Sequence, residues 1–393
     1  MTVLIYRYGS ICEPDIISTL QELNIQIIEE NCEMYNKTLS PKECVTILSS
    51  KIQEYHPLFV FSINFFPAVA EVCHLFSIPY ICWTVDCPVT ELFSTSILHK
   101  TNHIFMFDKA QYEYFSPFNE NIHHLPLAAN TQRFDQVIST ITQTDIQQYT
   151  SDISFVGSLY IEKNPMHKIR LSKYNSGYVS AVSDSTLKVY GANFIEELMT
   201  DSLIQELSHA DNHFLPSFKT ITDPSAYLAA HCYIGIQISE QERITTLNKL
   251  AENFAVTLYT RSDVSSLHRV NVRGGIKTLT EMPKVFHLSK INLNMTIKPI
   301  QSGLPLRIFD IMGCGGFLMT NYQPELTDYF EIGKDLEAYT SLEELCDKCA
   351  FYLEHPDIRE QIAKNGYEKI KNFHTYPQRI IQILSLITNN SLK

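Results

Sequence analysis

Apolar residues along this chain gather in short runs such as Val3–Tyr6 and Leu58–Ile63. Between the runs, apolar positions recur at helical spacing, as Ile16, Ile17, Leu20 and Leu23 do in Pro14–Leu23. Ser40-Pro41-Lys42-Glu43 has the form of a capping box with proline at the first helical position. It predicts a helix running to Tyr55, closed by His56-Pro57. Further strands are predicted at Ile25–Ile28, Pro79–Val85, His103–Phe107 and Ile122–Leu127, with a helix at Pro67–Phe76. Apolar strands without alternation, separated by helices, indicate a parallel sheet covered on both faces. Such a sheet binds its ligand beyond the carboxyl ends of its strands. That rule selects Tyr8, Gly9, Ser10, Asn64, Asp86, Asp108 and Asn130, with Glu13 and Asp15 beside the first loop.

Residues 1–130 therefore form one Rossmann-like domain. Residues 131–151 are polar, rich in Thr and Gln, and predict a linker. A second α/β domain is expected over 152–375, with a helical insertion at 163–250 where no strand–helix alternation is visible. Alternation resumes through the strands Ala255–Thr260, Lys290–Met295 and Gly316–Asn321 and the helices Glu281–Leu288, Leu304–Gly313, Ser341–Glu354 and Asp357–Lys371. An amphipathic helix at Tyr376–Ile387 lies in the last segment, 376–393.

Two domains suit a chain of 393 residues. With a net charge of −12 it has no general attraction for nucleic acid or anionic lipid. No apolar run approaches the roughly 20 residues that span a bilayer, and no secretory leader is visible. The cysteines are scattered through apolar patterns, as reduced cytoplasmic thiols would be. Cys346 and Cys349 make a lone CxxC on one helix face, which predicts core packing rather than a metal site.

The chemistry concentrates in Gly303-Leu304-Pro305-Leu306-Arg307-Ile308-Phe309-Asp310-Ile311-Met312-Gly313. A loop with Lys298, Ser302 and Gly303 leads from a strand into a helix. A helix start offers free N–H groups and the positive end of the dipole, a ready anion site. Lys298 and Arg307 add charge, and Asp310 is placed to accept vicinal hydroxyls. This segment resembles the donor-binding segment of GT-B glycosyltransferases, in which an acid at the position of Asp310 grips the ribose. Ser302 stands where that family carries a second acid. Phe155-Val156-Gly157-Ser158-Leu159 with Glu162-Lys163 resembles the opening of the same superfamily's second domain, whose glycine turn faces the donor phosphates. Arg261 ends a strand near the place of a further phosphate ligand.

Phe61–Phe65, Trp83–Pro88, Phe107–Lys109, Ser289–Asn294 and Gly315–Asn321 together resemble the CgeB-like family of bacterial glycosyltransferases, over about residues 1–380. The resemblance implies two Rossmann-like domains facing across a cleft, the second binding a nucleotide diphosphate sugar (a UDP-sugar), the first a glycan, protein or small-molecule acceptor. It implies a C-terminal helix crossing back to the first domain, transfer without a metal, no other cofactor, and a possible homodimer. Asp86, at a strand end with a proline two residues on, is the candidate general base; Gly9, Ser10 and Asn64 would border it. His123 and His124 are weaker candidates. No DxD-type metal motif, Walker A loop or GxGxxG turn is present. Two other readings remain: a nucleotide-sugar epimerase of the same fold, or a non-catalytic spore or cell-surface protein that kept it.

Overall fold

The computed structural model describes residues 2–36 and 39–390. The chain divides into two units. Unit 1 comprises Met1–Leu127, Pro216–Asp223 and Thr375–Lys393, and unit 2 the remainder. The last three residues of the terminal segment lie outside the described residues.

Unit 1 carries a six-stranded parallel sheet built from β1 (Thr2–Tyr6), β2 (Gln26–Glu30), β3 (Val60–Ile63), β4 (Tyr80–Trp83), β5 (Asn102–Met106) and β6 (Ile122–His124). The strand order is β2-β1-β3-β4-β5-β6. Every residue of β3, β4 and β5 is buried, as the unalternating apolar runs require when helices cover both faces. Register follows the runs: Leu4 pairs Val60, Val60 pairs Tyr80 and Ile81 pairs His103. The predicted capping box is present at Ser40 and Glu43, and the helix runs Pro41–Tyr55 to a left-handed His56. The helix Tyr376–Asn390 packs on Glu13–Glu22. Its Tyr376 meets the Trp83 ring edge-on at 6.0 Å, and Arg379 Nε donates to Pro126 O at 2.9 Å.

Pro216–Asp223 belongs to unit 1 although it lies within the predicted insertion of the other domain. Ser94 and Thr220 form an antiparallel bridge. Thr95 N–H donates to Lys219 O at 3.0 Å and Ile221 N–H to Phe93 O at 2.8 Å. Backbone groups on both segments are thereby satisfied.

Unit 2 holds a second parallel sheet: β7 (Ser151–Val156), β8 (Val256–Tyr259), β9 (Asn271–Val272), β10 (Ser289–Asn294), β11 (Leu318–Asn321) and β12 (Glu337–Tyr339), in the order β12-β11-β10-β7-β8-β9. Its core joins Ile153, Phe155, Leu258, Leu293 and Met319 with Leu345 and Cys349. Cys349 is fully buried and every cysteine is a free thiol. The helices between Lys173 and Ala251 bury a separate apolar cluster around Leu203, Leu207, Ile234 and Ile238.

The expected linker is corrected by the structure. Most of residues 131–151 is helical: Thr131–Ile138, capped by Asn130, and Gln143–Tyr149, capped by a Thr142–Asp145 box. Capping satisfies the end amides, and Phe134 and Tyr149 are buried as anchors.

Candidate functional site

In unit 1 the loops after β1, β3 and β4 bring together Tyr8, Asn64 and Asp86. Asn64 adopts φ +59°, a left-handed conformation that Asn tolerates better than most residues. Its Oδ1 accepts the N–H groups of Val85 at 3.0 Å and Asp86 at 3.3 Å. Its Nδ2 donates to Tyr8 Oη at 2.8 Å and to Asp86 Oδ2 at 2.6 Å. Tyr8 Oη donates to the same Oδ2 at 3.0 Å. Burial and the Asp86 charge push the Tyr8 phenol above its usual range, so it stays a donor. Asp86 is exposed, and its Oδ1 has no hydrogen-bond partner among the described residues. One oxygen is thus anchored while the other is presented.

Gly9 and Ser10 share the first loop, but that loop is turned onto the protein. The N–H groups of Tyr8 and Gly9 both donate to Glu13 Oε1, at 3.0 and 3.1 Å. Glu13 is 1% exposed, and its Oε2 takes Arg7 Nε at 3.0 Å. Gly9 supplies the φ of +97° that this turn needs. Asp108 and Asn130 act as helix N-caps. His123 tilts against Phe105, and burial lowers its pKa. The ring of Phe66 lies 5.5 Å from that of Tyr8 and forms a wall of a groove of about 780 Å³ with Tyr6, Glu33, Glu71, Ser96 and Phe218.

In unit 2 the loops after β7 and β10 hold the other candidates. Gly157 N–H donates to Tyr259 O at 3.1 Å. Ser158 Oγ donates to Glu162 Oε1 at 2.6 Å and accepts the Tyr160 N–H at 2.7 Å. Lys298 Nζ lies 3.3 Å from Glu242 Oε2 and 4.9 Å from the centroid of the Tyr190 ring. Ser302 Oγ donates to Oε1 of the buried Glu325 at 2.8 Å. Gly303 and Leu304 are buried, and Pro305 occupies the N-cap position of the helix Leu306–Gly313 without a side-chain cap. Arg307 and Asp310 engage one another on that helix: Nη1 to Oδ2 is 3.3 Å, with the guanidinium 5.2 Å from the centroid of the Phe286 ring. Burial lowers the Arg307 pKa against the opposing pull of Asp310. Arg261 is exposed and lies against Gly275.

The sequence reading missed Arg243, on the helix Gly235–Ala251. Its Nη1 donates to Ser158 O at 2.5 Å and its Nη2 to Met295 O at 2.7 Å. Arginine on a helix suggests a solvated face, and only the tertiary packing reveals its burial. Among the described residues no group of three or more His, Cys, Asp or Glu is placed to hold a metal ion.

Residues 243–385 match the family model described as "Glycosyl transferase-like". No curated protein matches the chain. Solved structures do. Anabaena HepE (Alr3699), crystallised with UDP, is similar at a TM-score of 0.55 and 11% identity, over 99% of this chain and 100% of that one. Sucrose-phosphate synthase (tll1590) of Thermosynechococcus elongatus gives 0.54 and 10%, over 100% and 99%. UDP-GlcNAc 2-epimerase of Neisseria meningitidis, bound to UDP-GlcNAc, gives 0.51 and 11%, over 99% and 100%. The fold is that of the GT-B class, α/β with two parallel six-stranded sheets. No helix of the described residues is long and apolar enough to cross a membrane.

Proposed function

We propose that this protein is a glycosyltransferase that moves a hexosyl group from a nucleotide diphosphate sugar, a UDP-sugar, to an acceptor nucleophile. The observation that carries the reading is the set of loops after β7 and β10. The Gly157–Ser158 turn, Lys298, Ser302 and the start of the helix Leu306–Gly313 follow the carboxyl ends of the paired central strands β7 and β10, and much of this set lies in the stretch that matches a glycosyltransferase-like family. UDP as the nucleotide is supported by the UDP complex of HepE and the UDP-GlcNAc complex of the Neisseria epimerase. The CgeB-like affiliation is part of the same proposal.

In this reading unit 2 holds the donor. Fixed cations and a helix N-terminus favour the charge that grows on the leaving diphosphate, without a divalent ion. Asp86 takes the proton from the acceptor nucleophile, with Oδ2 fixed by Tyr8 and Asn64. The groove beside Phe66 receives the acceptor. Asp310 receives the ribose hydroxyls, for which its bond to Arg307 must be shared or exchanged.

Thermal shift of the purified protein against UDP, GDP, ADP and CMP, with and without EDTA, tests the donor assignment. Stabilisation by UDP that survives EDTA is expected; no shift with any nucleotide would refute it. Incubation with UDP-sugar alone, followed by NMR, tests the epimerase reading, which requires a changed sugar in the absence of acceptor.

A further inference from the structure

Arg243 is 9% exposed, yet no carboxylate oxygen lies within ion-pair distance of it among the described residues. The adjacent Glu242 faces Lys298 instead. Among the described residues the guanidinium is held only by two carbonyl oxygens and two ring faces: its carbon lies 4.6 Å from the Tyr160 ring centroid and 5.3 Å from that of Phe155. Its Nε has no hydrogen-bond partner among the described residues. A buried cation without a counter-charge is costly, and chains keep one where an anion completes it. Burial lowers its pKa, but arginine remains charged throughout.

The two carbonyls belong to the loops that leave neighbouring strands. Ser158 follows β7 and Met295 follows β10, and the two strands pair directly. One rigid fork therefore sets the spacing between the turn and the loop. Gly157 lets the turn pass close to the charge: a Cβ there would stand 3.3 Å from Phe155 Cζ and 3.8 Å from Arg243 Nη1.

We infer that Arg243 is a positioning residue that supplies the buried countercharge of a phosphate site on the Gly157–Ser158 turn, and that it fixes this turn against the Met295 loop. The ligand class is a diphosphate. The inference rests on the donor reading above for the nucleotide, and not for the phosphate.

Isothermal titration of wild type, Arg243→Lys and Arg243→Met with UDP, uridine and inorganic pyrophosphate tests it. Arg243→Met should lose at least about tenfold in affinity for UDP and pyrophosphate, with uridine unchanged. Arg243→Lys keeps the charge but cannot reach both carbonyls, and should fall between. Equal losses for UDP and uridine would show a purely structural role and overturn the inference. If Arg243→Met does not fold by near-UV circular dichroism, Arg243→Lys decides: an unchanged ratio of UDP to uridine affinity overturns it. Arg243-dependent binding of pyrophosphate, with no binding of UDP, would uphold this inference and remove the donor reading. A wild type that binds neither would end both.

Discussion

Asn64 grips Asp86 from both sides: its carbonyl oxygen accepts the Asp86 N–H at 3.3 Å while its amide nitrogen donates to Asp86 Oδ2 at 2.6 Å. One side chain thus sets both the backbone and the carboxylate of the candidate base. We predict that Asp86→Asn lowers kcat by about 10²-fold or more while nucleotide affinity stays constant. Asn64→Gly removes the grip but tolerates the left-handed backbone, and should lower kcat by about tenfold. Asn64→Ala adds backbone strain of about 1 kcal/mol and should also lower Tm. Steady-state kinetics beside calorimetry separates the two; full activity in Asp86→Asn removes the base assignment.

Arg307 and Asp310 test the ribose assignment. Asp310→Ala strips the carboxylate from a half-buried guanidinium, and should destabilise by about 1–3 kcal/mol. The double variant Arg307→Met/Asp310→Ala should recover part of that loss in urea unfolding. UDP binding should stay weak in both if Asp310 holds the ribose. Binding that recovers with stability would show that the pair serves the fold alone.

Gly366 lies inside the helix Pro356–Phe373, where alanine ordinarily stabilises by up to about 1 kcal/mol. Here an added Cβ would stand 2.4 Å from Asp335 O and 3.0 Å from Met312 Cε. We therefore predict the opposite sign: Gly366→Ala should lose about 1–3 kcal/mol, seen as a lower urea midpoint. A raised midpoint would show that the 335 loop yields.

His103 gives a pH dependence. Burial, helped by His123, lowers its imidazole from 6.5 to about 4. Above pH 6.5 neither folded nor unfolded chain protonates it, and it contributes nothing. Below that, the unfolded chain gains a proton that the folded chain refuses, so stability falls until about pH 4. After allowance for solvent screening the loss is about 1–2 kcal/mol. Urea midpoints from pH 7 to 4.5 should slope less in His103→Gln than in wild type; parallel slopes would assign the effect elsewhere.

Most of both sheets was legible because buried parallel strands are written as bare apolar runs. The short strand β12 was not, since Glu337-Ala338-Tyr339 carries no such run. The helices of 131–149 were missed because they bury few side chains and rest on caps, although the Thr142–Asp145 box was there to be read. At the candidate base, position along a strand sufficed to select Asn64 and Asp86 together. The Arg307–Asp310 pairing was not read, although the two stand three residues apart on one helix. Arg243 and the docking of Pro216–Asp223 depend on partners distant in sequence, Phe155 and Phe93 among them, and local pattern cannot supply them.

The backbone passes between the two units four times, because unit 1 is assembled from Met1–Leu127, Pro216–Asp223 and Thr375–Lys393. Neither half is a removable cassette. A gene cut after codon 127 would yield a first half lacking the partner of Ser94 and the helix that covers Trp83. Exchange of this unit between relatives, by recombination or by design, must therefore carry three separate stretches at once.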